Sequence, residues 1–414
     1  MGLLIAAAQG GGFLAAQLRQ PRVVGEILGG LVLGPTVLGA IAPEWSSWIV
    51  SGRAVTPTVL GAAYQMGILF LMFASGAEMR RAYQPGERRV AITVTIIGTL
   101  LPFAAGLLAL RWVDAARFMG SAQSTTAFVL TFGSAMAVTS IPVISRIMFD
   151  LKILDTSFSR IVLSSAVLED LILWAVLAVV LGLVGSSHES SVGLPVLLGV
   201  ARSPVQSAVY HLAIALALFG GGIVFGPHAF AWVTRSRWNI IHRSSPVAFR
   251  LVVMLTLSAV SLLIGVAPLF GAFIAGIITA PTDADGEQAH AAIRQVSFAS
   301  LVPLYFAIVG LRLDLTRGFE VVLFLGLLAW ASIAKAGSVY AGARLAGESS
   351  NGARNLAVAL NCRGGPGIVL ASVTFDAGII NAGFYAMLVL LALVTSIAAG
   401  SWLETVVRRG GSLR

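Results

Sequence analysis

Residues 137–145 read AVTSIPVIS, and residues 361–369 read NCRGGPGIV. Each lies in the middle of an apolar run of about twenty residues, the length that crosses a bilayer as a helix. Proline removes a helical hydrogen bond and clashes with the preceding turn, so Pro142 and Pro366 predict breaks inside two spans. Thr139, Ser140 and Ser145 flank the first proline, and Gly364, Gly365 and Gly367 flank the second. Either break alone reads equally well as a simple kink. Irregular backbone at membrane depth is tolerated only where protein or water satisfies it, so two such breaks point to a binding site near the bilayer centre.

The rest of the composition agrees with a membrane setting. The 414 residues are 57% hydrophobic and 11% charged, with a mean hydropathy of +0.91. Soluble domains are about one-quarter charged. The net charge of +9 lies in short loops, so it reads as membrane topology and not as nucleic-acid binding. A single cysteine, Cys362, excludes an internal disulfide or a cysteine-based metal cluster, and the five histidines lack ligand spacing. No cofactor is expected. The N-terminus lacks a basic start and a small-residue cleavage site and reads as a retained first span, although Gly10–Gly12 weaken it as a helix.

The pattern predicts an all-α polytopic membrane protein with about thirteen transmembrane helices: 2–18, 22–40, 57–78, 90–110, 124–148, 157–184, 205–233, 246–265, 268–281, 297–311, 320–345, 352–375 and 382–406. Thirteen spans put the termini on opposite sides. With the N-terminus outside and the C-terminus cytoplasmic, nineteen of the 27 basic residues fall on the inner side. Six, including Arg53, Arg202 and Arg317, fall outside. That split follows the positive-inside rule, and the cell inner (cytoplasmic) membrane is the expected location.

The chain also repeats itself. PRVVGEILGGLVLGP (21–35) and PLFGAFIAGIITAP (268–281) share the order Pro, Gly, Gly, Pro at nearly equal gaps. LFLMFASGAEM (69–79) matches PLYFAIVGLRL (303–313), with Gly76 opposite Gly310, and the two proline-centred runs form a third match. These pair spans 2 with 9, 3 with 10 and 5 with 12. The offset of seven is odd, so the two copies run in opposite directions, as in secondary transporters built from inverted repeats. The expected division is residues 1–203 for the first repeat, 204–245 for a linker helix and 246–414 for the second repeat.

Ionisable groups inside the membrane are expensive and functional by default. In SSAVLEDLILWAV (164–176), Glu169 and Asp170 are the only charges between Ile161 and Val184. Burial penalises a charged carboxylate, and a proton or a cation lifts the penalty. Asp170 is the expected proton and monovalent-cation site, with Thr139 and Ser140 supplying further oxygens. Adjacent helical residues point about 100° apart, so Glu169 is expected to face a neighbour, and Lys335, mid-span, is proposed as its partner. A purely structural ion pair is the alternative for both carboxylates. Arg363 reads as a fixed counter-charge, and Glu26 and Glu78 as solvated helix-end carboxylates.

These residues resemble the bacterial monovalent cation:proton antiporter-2 family, which includes sodium/proton antiporters of the NapA and NhaA type and is related to potassium efflux antiporters. RQPRVVGEILGGLVLGPTVLG, LFLMFASGAEM, AVTSIPVISRIMFDLKIL, AVLEDLILWAV, VPLYFAIVGLRLDL and NCRGGPGIVLASVTFDAGIINAGFYAMLVLLALVTS carry the resemblance along nearly the whole chain. It implies an NhaA/NapA-like antiporter fold with two inverted-topology repeats and two crossing broken helices. It further implies a homodimer, a core transport domain from 90–184 and 320–406 with a dimer domain from the rest, elevator-like alternating access and a part in pH homeostasis. Asp170 takes the ion-binding position, Glu169 the preceding one and Lys335 the core lysine of electrogenic members. The Glu–Asp pair departs from the Asp–Asp of those members. The lack of a nucleotide-binding regulatory domain argues against the gated potassium efflux subclass.

The function expected is exchange of a monovalent cation, sodium foremost, for protons, with electrogenic stoichiometry. A potassium/proton antiporter or potassium efflux protein is the alternative. A cation channel, an intramembrane aspartyl protease and a sensor without transport are the readings from other classes. The protease needs two aspartates on separate helices, whereas Glu169 and Asp170 are neighbours.

Overall fold

The computed structural model describes residues 1–51, 56–82, 87–154, 156–185, 194–197, 204–316 and 318–414. Residues 186–193 of the polar loop, and Arg53, Arg202 and Arg317 of the expected outer side, lie outside the described residues. In chain order the helices are α1 (Gly2–Gln17), α2 (Arg22–Leu33), α3 (Leu38–Ile41), α4 (Pro43–Ser51), α5 (Thr56–Ala82), α6 (Arg88–Ala109) and α7 (Thr125–Ala137). Next come α8 (Ile141–Asp150), α9 (Ser157–Gly185), α10 (Leu194–Leu197), α11 (Pro204–Val224), α12 (Gly226–Arg235), α13 (Ile240–Ser244) and α14 (Pro246–Leu263). The last seven are α15 (Pro268–Ile278), α16 (Ala284–Val296), α17 (Val302–Leu311), α18 (Val321–Leu345), α19 (Ser350–Leu360), α20 (Gly364–Asp376) and α21 (Ala382–Arg408).

Ten helical segments among the described residues are long and apolar enough to cross a membrane, or eleven if α11 and α12, bent by 51°, count as one. The thirteen expected segments are all helical, but not all reach that length. Helix α15 has eleven residues, a rise of about 16 Å against a hydrocarbon core of about 30 Å. The tenth segment starts earlier than expected. Helix α16 runs through a π turn at Ser297–Leu301 into α17, one apolar segment of 28 residues from Ala284 to Leu311. Helix α1 is continuous through its three glycines, because Gly11 lies against the backbone of Gly25 on α2 and a Cβ there would sit 2.1 Å from the Gly25 oxygen.

The chain forms two compact units, one of Met1–Gly61, Ala82–Leu173 and Phe306–Arg414, the other of Ala62–Arg81 and Trp174–Tyr305. In the first, α6 packs along α9 and α18. Thr95 donates to the Ser165 oxygen at 3.4 Å, and Ser165 donates to the Ala91 oxygen at 3.3 Å. Helices α2 and α17 of this unit cross at van der Waals contact. A Cβ on Gly30 would lie 1.9 Å from the Ala307 oxygen, and one on Gly310 would lie 1.9 Å from the Ile27 oxygen. Only glycine permits that approach.

The second unit has its own core, where Trp174 and Phe219 pack against Phe270 and Phe273. It also has its own crossing, between α5 and α15. A Cβ on Gly276 would lie 2.0 Å from the Phe73 oxygen, and one on Gly76 2.0 Å from the Phe273 oxygen. In both crossings each glycine faces the carbonyl three residues before the partner's glycine.

Gly310→Ala should therefore cost about 1–3 kcal/mol by overpacking, whereas Gly326→Ala on α18, with nothing within 4 Å of the new Cβ, should be neutral or slightly stabilising. Thermal unfolding in detergent reads the difference, and equal melting temperatures would show that the crossing yields easily.

Candidate functional site

The predicted breaks are present, slightly upstream of the prolines. Helix α7 ends at Ala137, and α8 starts at Ile141 with Ser140 as its N-cap. Pro142 falls in the first turn of α8, where a missing N–H costs nothing. Helix α19 ends at Leu360, and α20 begins at Gly364, so Gly364, Gly365 and Pro366 also open a helix. The interruptions themselves are residues 138–140 and 361–363. Proline and glycine mark where the second half of each broken helix restarts.

The two interruptions cross and satisfy each other. Thr139 donates its hydroxyl to the Leu360 oxygen at 2.6 Å, and the Ser140 amide donates to the Cys362 oxygen at 2.7 Å. The Gly365 amide donates to the Ser140 hydroxyl at 3.1 Å, and the Gly364 amide to the Ser396 hydroxyl at 3.2 Å. Gly364 has a φ of +24°, and a Cβ there would lie 2.5 Å from both Ser140 Oγ and Val143 Cγ2. A side chain at that position would push the crossing apart.

Two buried cations answer the carbonyl end of α7. Arg363 donates from Nε to the Ala135 oxygen at 3.2 Å and from Nη2 to the Met136 oxygen at 3.0 Å. Lys335 donates to the Ala137 oxygen at 2.6 Å. A helix C-terminus carries partial negative charge and unpaired carbonyls, so cations there are doubly favourable. Lys335 also donates to the Gly98 oxygen at 2.9 Å and to both Glu169 oxygens at 2.8 and 2.9 Å. Its side chain is fully buried.

Asp170, near the middle of α9, is different. It is 0% exposed, and neither carboxylate oxygen has a hydrogen-bond partner among the described residues. Thr139 and Ser140, expected to share its ligand sphere, bond the second broken helix and α8, and Thr139 also bonds the Glu169 side chain. The structure therefore brings Glu169 to Lys335, and Thr139 and Ser140 to the second break, while Asp170 stays unpaired. No group of three or more His, Cys, Asp or Glu among the described residues is placed to hold a metal ion. The chemistry open to Asp170 is that of one desolvated carboxylate, which accepts a proton or a small cation, each excluding the other.

Sequence reasoning missed the backbone oxygens of Gly98, Ala135, Met136, Ala137 and Ala331, which have no side-chain signature, and the paired hydroxyls Thr395 and Ser396 on α21, whose mid-span position was a usable signal. It also misjudged Glu26. That carboxylate is buried, 8% exposed, because the glycines of α1 let α2 approach until Gly12 covers the Glu26 stem. Glu78 is half-buried and lines a pocket in the second unit with Glu287, His290 and Arg294.

The family described as sodium/hydrogen exchanger, transmembrane, matches residues 3–409, and the chain belongs to it. Among curated relatives it is 29% identical to Cation/H(+) antiporter 20 of Arabidopsis thaliana, over 95% of this chain and 46% of that one. It is 29% identical to K(+)/H(+) antiporter 1 of Saccharomyces cerevisiae, over 92% of this chain and 43% of that one. Na(+)/H(+) antiporter NhaS4 of Synechocystis is 28% identical, over 93% of this chain and 91% of its own. The chain thus spans less than half the length of the plant and yeast relatives and most of the cyanobacterial one. The solved sodium proton antiporter MjNhaP1 from Methanocaldococcus jannaschii matches with a TM-score of 0.66 at 14% identity, covering 99% of this chain and 97% of that one, a likeness of fold.

Removing one partner of a buried ion pair costs about 3–5 kcal/mol, because the other charge is stranded. Glu169→Gln should lower the melting temperature in detergent more than the double variant Glu169→Gln/Lys335→Met. Equal melting temperatures would remove the pair from the account of stability.

Proposed function

We propose that the chain is a secondary transporter, not an enzyme, that exchanges a monovalent cation for protons at Asp170. The observation that carries this reading is the fully buried carboxylate without a hydrogen-bond partner, one residue from a paired glutamate. A structural carboxylate at that depth would be expected to have its own partner. A site that must release either of two ligands is better served by none. Mutual exclusion of proton and cation at one carboxylate then couples the two fluxes.

Sodium is the proposed cation, in keeping with the family and the cyanobacterial relative. The yeast relative, a K(+)/H(+) antiporter by name, supports potassium as the second reading. The proposal extends to electrogenic exchange, since the Glu169–Lys335 pair holds a second carboxylate and an amine beside the site. It further takes the monovalent cation:proton antiporter-2 type, thirteen spans in two inverted repeats, N-terminus outside and C-terminus cytoplasmic in the cell inner membrane, and a homodimer with elevator-like movement of a core domain. The matching glycine registers of the α2–α17 and α5–α15 crossings support the repeat.

In proteoliposomes with an imposed pH gradient, sodium, potassium, lithium and rubidium are added in turn. Proton movement driven by at least one of them, and its loss in Asp170→Asn, are the expected results. Robust exchange in Asp170→Asn would remove Asp170 from the mechanism, and flux uncoupled from protons would make the protein a channel. Electrogenic exchange should also produce a current that responds to membrane potential. Exchange blind to potential would assign an electroneutral cycle.

A further inference from the structure

Arg363 is 1% exposed, and its guanidinium makes five hydrogen bonds among the described residues. Besides the Ala135 and Met136 oxygens, it donates from Nη2 to the Ala331 oxygen at 2.9 Å and from Nη1 to Asn361 Oδ1 at 2.6 Å and the Asn361 oxygen at 3.4 Å. The α7 carbonyls it holds immediately precede Ala137, whose oxygen receives the Lys335 ammonium. The α18 carbonyl it holds, that of Ala331, lies one helical turn before Lys335. Arg363 thus fixes both the acceptor that aims Lys335 and the turn that carries it.

That aim decides which of two adjacent carboxylates is neutralised. Glu169 and Asp170 are neighbours on α9, and the charge of Lys335 bears on both. Lysine is a compact charge on a flexible stem. With the end of α7 loose, its ammonium would lose the Ala137 acceptor and could bond Asp170 as an internal competitor for the transported cation.

We infer that Arg363 is a positioning residue, which holds the end of α7 and the Ala331 turn of α18 so that Lys335 is committed to Glu169 and Asp170 is left open to the transported ion. This rests on the exchange reading above.

The test is cation-dependent thermal stabilisation of the purified protein, titrated with sodium or potassium chloride at constant ionic strength. Binding to the folded state alone raises the melting temperature with a midpoint that tracks affinity. Wild type should be stabilised and Asp170→Asn should not. If wild type shows no stabilisation that depends on Asp170, the exchange reading itself fails. Given that stabilisation, Arg363→Met should move the midpoint to about ten-fold higher cation, a tenfold change in dissociation constant. The double variant Arg363→Met/Lys335→Met should bring it back to the wild-type value or below, because the competitor is gone. A residue that only braces the fold predicts a double variant at least as impaired as the single one. An unchanged midpoint in Arg363→Met, or no recovery in the double variant, overturns the inference. Should Arg363→Met not fold, Asn361→Ala, which removes one anchor of the guanidinium, carries the same test in the same direction.

Discussion

A helix that stops inside an apolar slab leaves its last carbonyls and first amides without partners, and no water is at hand to take them. Two helices stop here, and almost everything at the site follows from how their ends are satisfied. At the carbonyl end of α19 the Leu360 and Cys362 oxygens are answered by neutral groups, the Thr139 hydroxyl and the Ser140 amide, and the Asn361 oxygen takes a long bond from Arg363. The carbonyl end of α7 is answered by two full positive charges, Arg363 and Lys335. The breaks resemble each other in sequence, yet the end of α7 meets more positive charge than the end of α19.

That asymmetry sets the roles of the carboxylates. Two cations drawn into the interior need compensation, and the α7 dipole gives only part of it. Glu169 adds a full negative charge by bonding Lys335 with both oxygens. Asp170, about 100° around the same helix, receives no such bond. Because Lys335 already has four acceptors around three N–H groups, its place is over-determined. The unpaired carboxylate is thus a product of how firmly its neighbour is paired.

Much of this was legible in the chain. Apolar runs of membrane length, interrupted by proline and glycine, located most of the helices and both breaks to within a few residues. Hydropathy and proline chemistry act locally, which makes them readable. Elements that depend on a neighbour were misread. The glycines of α1 looked like a weak helix and are a contact with α2. Glu26 looked solvated and is covered by that contact. The segment before Ser297 lay outside the expected spans, yet its polar residues continue a helix through a π turn into α17.

The sequence by itself determined that the protein is helical and membrane-bound, that two spans are broken, and that two carboxylates, a lysine and an arginine lie within the apolar stretches. Those facts follow from residue chemistry and short-range sterics. The tertiary structure alone decided which atoms meet. The oxygens that hold Lys335 and Arg363 belong to glycine, alanine and methionine backbones. Every residue carries such an oxygen, so composition cannot distinguish the few that matter. They become distinct only when a helix ends, its carbonyls lose their partners, and a cation from another helix is packed against them.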